Sequence, residues 1–492
     1  MSVTVDREQL IANVVREVVA RLQAQLPAPR GQEAAVAPAP AAAAPKAAAS
    51  EDGVFETVDE AVAAAAEAQK KVAAMSLDER GRIIAILRRV CRERAHQLAK
   101  MELDETHLGR LDHKIEKLLA VEFVLGVESM RTEARSDVSG LCVIEHAPFG
   151  VIGMVLPATH PVPTMTGNAI NVLAGGNTAV FSPHPAGAKS AAYALQIYNR
   201  EIKRELGVEN VLTTVREPGI KSAEEIFQHP GIHLLCVTGG PALVKAASKA
   251  GKRVIAAGPG NPPVVVDETA DLGEAAAAIV RGASFDNNLL CIAEKEVFVV
   301  ASVADRFIAA MRMAGAFQLD AAALERLTRA AFHFDKDGAG CLRAHVNRDL
   351  IGKDVAVLAA AAGVTVPAST QLLFAETAAD HPFVVEEQMM PFVPIVRVND
   401  FDAGVAAAVA AEHGYHHTAM IHSRNMDNVT KMARAMNTTL FLHNAPCMAS
   451  LGLGGPGYLS YSIATPSGEG VTTPLTFTRQ RQIVVGGGLR II

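Results

Sequence analysis

Apolar side chains fall at Leu10, Ile11, Val14, Val15, Val18, Val19 and Leu22, a stripe at helical spacing. Asp6 and Gln9 form a capping-box pattern, and Val5 with Leu10 can staple the first turn. The pattern predicts a short amphipathic helix within residues 1–26. Residues 27–52 break it with Pro27, Pro29, Pro38, Pro40 and Pro45 among many alanines, which reads as a linker. If polyproline-like throughout, that linker reaches ~75 Å. The body begins near Gly53. Helical periodicity runs through 57–75 and 77–105 and gives way to a mixed segment reaching Cys142. From there apolar runs alternate with amphipathic stretches. Val151–Val155, Thr178–Phe181, Val211–Val215, His233–Val237 and Arg253–Ala256 read as strands, with helices at 186–206 and 241–250. A second series starts at Pro263–Asp267 and continues at Val297–Val300 and Ile395–Val398. Strands alternating with helices predict an α/β protein with parallel sheets. No internal repeat of fixed period is present.

Composition changes this picture only by exclusion. The 492 residues are 50% hydrophobic and carry 46 Lys+Arg against 52 Asp+Glu, a formal charge of −6. That balance argues against nucleic acid, whose phosphates call for a basic stripe. No apolar run approaches the ~18 residues of a membrane span. Asp6, Arg7, Glu8, Arg16 and Glu17 interrupt any signal-peptide core. Six scattered cysteines without CxxC spacing suit a reducing compartment, so a cytoplasmic enzyme is expected.

Four segments could carry chemistry. The only GxGxxG match, Gly452–Gly457, runs into Tyr458–Tyr461 and meets no acid before Glu469, so it reads as a tight loop rather than a dinucleotide fingerprint. Thr238-Gly239-Gly240-Pro241 is a better phosphate site. It ends a strand and opens a helix with exposed N–H groups, although a ligand-free turn has the same residues. Ser182-Pro183-His184-Pro185 makes a second such junction one unit earlier, and the two together suit a diphosphate-bearing cofactor. Cys291 follows Asp286, Asn287 and Asn288, and a loop entering a helix there would supply N–H groups to lower its pKa; the alternative is an inert buried thiol. His413, His416 and His417 lie close in sequence but lack a defined zinc spacing, and read as loop histidines.

In this order the pieces resemble the aldehyde dehydrogenase superfamily over residues 53–492. Pro148–Gly153 through Leu173–Thr178 is similar to its first cofactor-domain segment. The resemblance implies that Thr238, Gly239 and Gly240 lie near the cofactor phosphates, that Ser182, Pro183 and His184 belong to the cofactor site, that Cys291 is the nucleophile, and that Glu387 contacts the nicotinamide ribose. Its implied fold is a Rossmann-type cofactor domain (53–262, with an arm segment near 131–147), an α/β catalytic domain (263–463) and a small β oligomerisation arm (464–492). The departures are informative. Ala257 stands where the hydrolytic branch has the Glu that activates water, and a methyl group takes no proton. Thr159 replaces an oxyanion-binding Asn, and Ser182 a ribose-binding Lys.

An acyl-enzyme that water clears poorly needs a thiol nucleophile. Cys291–Lys295 and Ile463–Gly470 resemble the CoA-acylating branch, closest to the propionaldehyde dehydrogenases of bacterial microcompartments. The resemblance implies NAD and coenzyme A as co-substrates, a short aldehyde as substrate, a homo-oligomer (dimer or tetramer), and a place in the microcompartment lumen. Residues 6–25 would then be the segment that meets the shell protein. Two other readings stay open at this point: a hydrolytic enzyme giving free acid, and a non-catalytic shell-associated adaptor. One methylene separates acetaldehyde from propionaldehyde, worth only ~1–3 kcal/mol in a pocket.

Overall fold

A computed structural model describes residues 51–336 and 342–487. The expected helix at 6–25, the linker and Cys341 lie outside the described residues. Two capping boxes start the body. Thr57 with Glu60 opens the helix Val58–Ala74, and Ser76 with Glu79 opens Leu77–Thr106. The second packs on the helices Leu111–Leu119, Pro161–Ala174 and Ala188–Leu206, and the first packs on a six-stranded sheet whose named strands run parallel. Its spatial order is Val54–Phe55, Leu212–Val215, Thr178–Pro183, Val151–Leu156, Leu234–Thr238 and Arg253–Ala257. After the edge strand Val54–Phe55, the chain enters the middle at Val151–Leu156, winds outward through Thr178–Pro183 to Leu212–Val215 and then returns to build the other side. The strand order therefore reverses between Val151–Leu156 and Leu234–Thr238, and a crevice opens at the carboxyl ends there.

A seven-stranded parallel sheet follows, ordered Phe317–Gln318, Leu373–Thr377, Phe392–Val398, Glu296–Val300, Pro263–Val266, Thr418–His422 and Leu440–His443. Its central strands are buried on both faces, which is why they read as continuous Val/Ile/Phe runs without alternation. Four of these strands (at 317, 373, 418 and 440) and the antiparallel hairpin Phe332–Lys336/Leu342–Val346 escaped the sequence reading. Short strands next to alanine-rich helices leave no period to detect.

A third sheet is antiparallel. Thr478–Gly486 pairs along Gly140–Pro148, which also pairs with Glu133–Asp137. All five residues of Glu133–Asp137 are exposed, and Val138 and Val484 are 87% and 72% exposed. No helix among the described residues is long and apolar enough to cross a membrane.

Asn177 ties these layers together. Its Oδ1 accepts from the N–H groups of Phe149 (2.7 Å) and Gly150 (2.9 Å), and its Nδ2 donates to the Phe477 (2.9 Å) and Val172 (3.3 Å) carbonyls. Asn177→Ala strands these buried groups and is expected to destabilise the protein by about 2–4 kcal/mol. A lower urea midpoint checks this; an unchanged midpoint contradicts it.

Candidate active site

The carboxyl ends of the six-stranded sheet carry short turns that converge. After Val151–Leu156 comes Pro157–His160. After Thr178–Pro183 come His184 and Pro185, after Leu234–Thr238 come Gly239 and Gly240, and Ala257 ends its own strand. All nine residues singled out from the sequence (Thr159, Ser182, Pro183, His184, Thr238, Gly239, Gly240, Cys291 and Glu387) line one cleft of about 370 Å³. The three histidines do not converge. The rings of His413 and His416 bond the Val385 (2.7 Å) and Asn437 (3.1 Å) carbonyls, and that of His417 the Thr418 hydroxyl (2.8 Å). No cluster of three metal-ligating side chains exists among the described residues.

Gly240 starts the helix Pro241–Ser248 without a side-chain cap, and a Cβ placed on it would meet nothing within 4 Å. Space at this helix start is therefore open; Pro241 carries no N–H and Leu243 and Val244 donate to the Gly240 carbonyl, so what it offers a diphosphate is close approach to the positive helix end. Beside them Ile220 (82% exposed), Ala223 and Leu243 form an apolar slot suited to a flat base. Thr238 bonds Ser462 (2.8 Å), and Ser182 contacts Ser222 (3.4 Å). These residues fit a dinucleotide.

Cys291 belongs to the other half. The expectation of a loop entering a helix is corrected here. The helix Leu272–Ser284 ends before Cys291, a 3-10 turn over Phe285–Asn288 intervenes, and the strand Glu296–Val300 follows. The reason lies just beyond the thiol: the Lys295 N–H donates to the Pro262 carbonyl (3.1 Å) and pairing with Pro263 begins at Glu296, which leaves no room for a helix, while Asp286, Asn287 and Asn288 before it are left-handed, with φ of +49°, +56° and +64°. Lys295, fully buried, holds this turn by donating to the Asn288 carbonyl (2.8 Å), the Asn288 side chain (2.5 Å) and the Leu290 carbonyl (3.3 Å).

The thiol faces the cleft but is desolvated from beneath. Burial pushes it up to about 12, with Glu387 adding to the rise and Lys295 opposing it. Burial also raises Glu387, against the pull of Lys295 and the Gly260 N–H. Beneath them His417 is pushed down to about 4 by burial and by Lys295, so its ring is neutral. Ala257 lines the cleft, and Glu387 supplies its carboxylate. Sequence reasoning missed His160 and Tyr461 on the cleft wall, whose rings lie 5.5 Å apart. A histidine between Thr159 and Pro161 carries no motif, and Tyr461 was legible only as the residue where a false GxGxxG ended.

A recessed thiol facing glycine-rich carboxyl ends of a parallel sheet is the geometry of a thiol-dependent α/β enzyme. The chain belongs to the aldehyde dehydrogenase family, whose sequence model matches residues 32–456. It is 46% identical over 445 residues to an acetylating acetaldehyde dehydrogenase of Salmonella typhimurium, covering 90% of this chain and 94% of that one. A propionaldehyde dehydrogenase from the fucose-utilisation bacterial microcompartment of Clostridium phytofermentans superposes with a TM-score of 0.85 at 41% identity, over 89% of this chain and 100% of that one. The propionaldehyde dehydrogenase of Rhodopseudomonas palustris, solved with bound propionyl-CoA, does so with a TM-score of 0.85 at 40% identity, over 88% and 95%.

A thiol at about 12 instead of 9.0 leaves about 1000-fold less thiolate at pH 8. Iodoacetamide should therefore alkylate Cys291 of the ligand-free protein slowly, about tenfold faster per pH unit well beyond pH 9. Peptide mapping by mass spectrometry checks this, and a plateau near pH 8–9 contradicts it.

Proposed function

We propose that the protein oxidises a short aliphatic aldehyde, with propionaldehyde favoured, to its acyl-CoA through a thioester on Cys291. The observation that carries this reading is Ala257 in the wall of the cleft that Cys291 also lines. A methyl group supplies no base where the hydrolytic branch has one, and Glu387, the cleft's carboxylate, is assigned to the nicotinamide ribose, so the thiol of coenzyme A is the nucleophile that clears the acyl-enzyme. The relative solved with propionyl-CoA supports the same chemistry.

In the domain reading, 53–262 binds cofactor and 263–463 carries the thiol. Thr238, Gly239 and Gly240 hold the diphosphate, Ser182, Pro183 and His184 line the next junction, and Glu387 meets the nicotinamide ribose. NAD bound there supplies the acceptor for the aldehyde's hydrogen and its electron pair. The Cys291 thiol loses its proton to solvent as Sγ bonds to the aldehyde carbon, and the Cys291 N–H with Thr159 stabilises the negative charge on oxygen. Expulsion of the hydrogen with its electron pair leaves a thioester. The CoA sulfur then bonds to the carbonyl carbon as the bond to Cys291 Sγ breaks. Wild type should give one burst of NADH without CoA and sustained turnover with it; Cys291→Ala should give neither. Ala257→Glu should raise CoA-independent turnover. Fast wild-type release of free acid without CoA overturns the reading.

The antiparallel sheet at 133–148 and 478–486, with Val138 and Val484 exposed, is proposed to join subunits of a homo-oligomer. The proposed location is a microcompartment lumen, with the apolar stripe of residues 6–25 seated in a groove of a shell protein. Deleting residues 1–50 should leave kcat and KM within about twofold while abolishing co-purification with shells. Retained co-purification, or a large loss of activity, contradicts this assignment.

A further inference from the structure

The helix Leu111–Leu119 presents two lysines one turn apart, Lys114 and Lys117, both buried. Each makes an ion pair with a buried acid: Lys114 with Glu102 (2.7 Å) and Lys117 with Asp286. The two pairs serve different segments. Lys114 also donates to the Thr159 carbonyl (3.4 Å), while the other oxygen of Glu102 accepts from the Val162 N–H (3.0 Å). Together they grip the backbone on both sides of His160. Lys117 reaches instead into the turn before Cys291. There Asp286 also accepts from the Arg110 N–H (2.9 Å), and its own N–H donates to His113 Nδ1 (2.9 Å). Gly109 is part of this fit, since a Cβ there would lie 2.1 Å from the Asp286 carboxylate. The Tyr461 hydroxyl donates to the Lys117 carbonyl (2.9 Å), joining the cleft wall to the same helix.

Stability alone does not account for two buried ion pairs here. Apolar residues of similar volume usually fill such sites at no loss, because desolvating the charges cancels much of their attraction. Three consecutive left-handed residues also cost free energy and persist only where their surroundings over-determine them. Asp286 is held by Lys117, Asn287 donates to the Gly352 carbonyl (3.0 Å) and Asp354 (2.8 Å), and Asn288 is held by Lys295. We propose that Lys114 and Lys117 are positioning residues, a two-point clamp that fixes Thr159 and the nucleophile's turn at a set separation. The oxyanion contact and Cys291 are thereby aligned before substrate arrives. This rests on Cys291 and Thr159 having the roles proposed above. Geometry held in advance is worth most when the reacting groups come from separate sheets, as they do here.

The test uses the full chain and removes each pair whole, so that no lone charge is left buried. In Lys117→Met/Asp286→Leu the turn relaxes and admits water. Iodoacetamide should then alkylate Cys291 about tenfold faster, while the NADH burst with propionaldehyde slows about 100-fold and calorimetric NAD affinity stays within twofold. In Lys114→Met/Glu102→Leu alkylation should be unchanged and the burst slowed about 30-fold. General loss of structure also exposes the thiol and stops the burst, but it abolishes NAD binding as well, so NAD affinity retained within twofold is what marks the change as local to the turn. Lys117→Arg retains the charge but moves its head, and should slow the burst about tenfold with an unchanged melting temperature. It decides the matter where a double variant does not fold. A burst within threefold of wild type in Lys117→Arg, or in either folded double variant, overturns the clamp, as does alkylation falling in step with the burst. Cys291→Ala is run alongside: a burst that survives it refutes the underlying role of Cys291, independently of the clamp.

Discussion

Parallel strands all end on the same side, and that constraint organises the molecule. In the six-stranded sheet every carboxyl end delivers its following turn to one crevice. The reversal of strand order between Val151–Leu156 and Leu234–Thr238 keeps that crevice from being covered by a crossover. The thiol reaches the same place from the other direction, on a turn leading into the seven-stranded sheet. Neither sheet has a site alone. The cleft exists where the ends of one sheet face the nucleophile's turn of the other.

That division has an electrostatic consequence. A thiol enclosed between two sheets is desolvated, and burial holds it up at about 12 in the ligand-free protein. The nearest buried cation, Lys295, is occupied with the carbonyls and side chain of its own turn and offsets burial only in part. Beside the same turn, Lys117 and Lys114 hold the Asp286 carboxyl down to about 2 against the cost of burying it. Charge in this region stabilises backbone shape more than it activates sulfur. A thiol kept neutral until its ligands arrive is also protected from oxidation, since the thiolate is the form that reacts.

Much of this was legible in the amino-acid sequence, for local reasons. Two-sided burial makes the central strands continuous Val/Ile/Leu/Phe runs, so Val151–Leu156 and Leu234–Thr238 could be read within a residue or two. Gly239, Gly240 and Pro241 mark a strand-to-helix turn through their own backbone preferences. Cys291 stood out through the amides before it, and Ala257 through a missing carboxylate. The helix expected at Cys291 is absent because sheet pairing takes the chain from Glu296, and nothing local shows that Asp286, Asn287 and Asn288 before it are all left-handed; contacts from three other segments hold them there.

What packing alone decided is the environment of those residues. Lys114 and Lys117 fall in a segment that the sequence leaves mixed, and lysines are usually exposed. Their burial depends on Glu102 and on Asp286, the latter 169 residues from Lys117 along the chain. The pKa of Cys291, the neutrality of His417 and the meeting of His160 with Tyr461 are likewise set by segments distant in sequence. Periodicity, turn chemistry and the identity of a nucleophile are encoded in neighbouring residues and so belong to the sequence. Desolvation and ion pairing depend on which surfaces meet, and only the tertiary structure decides that.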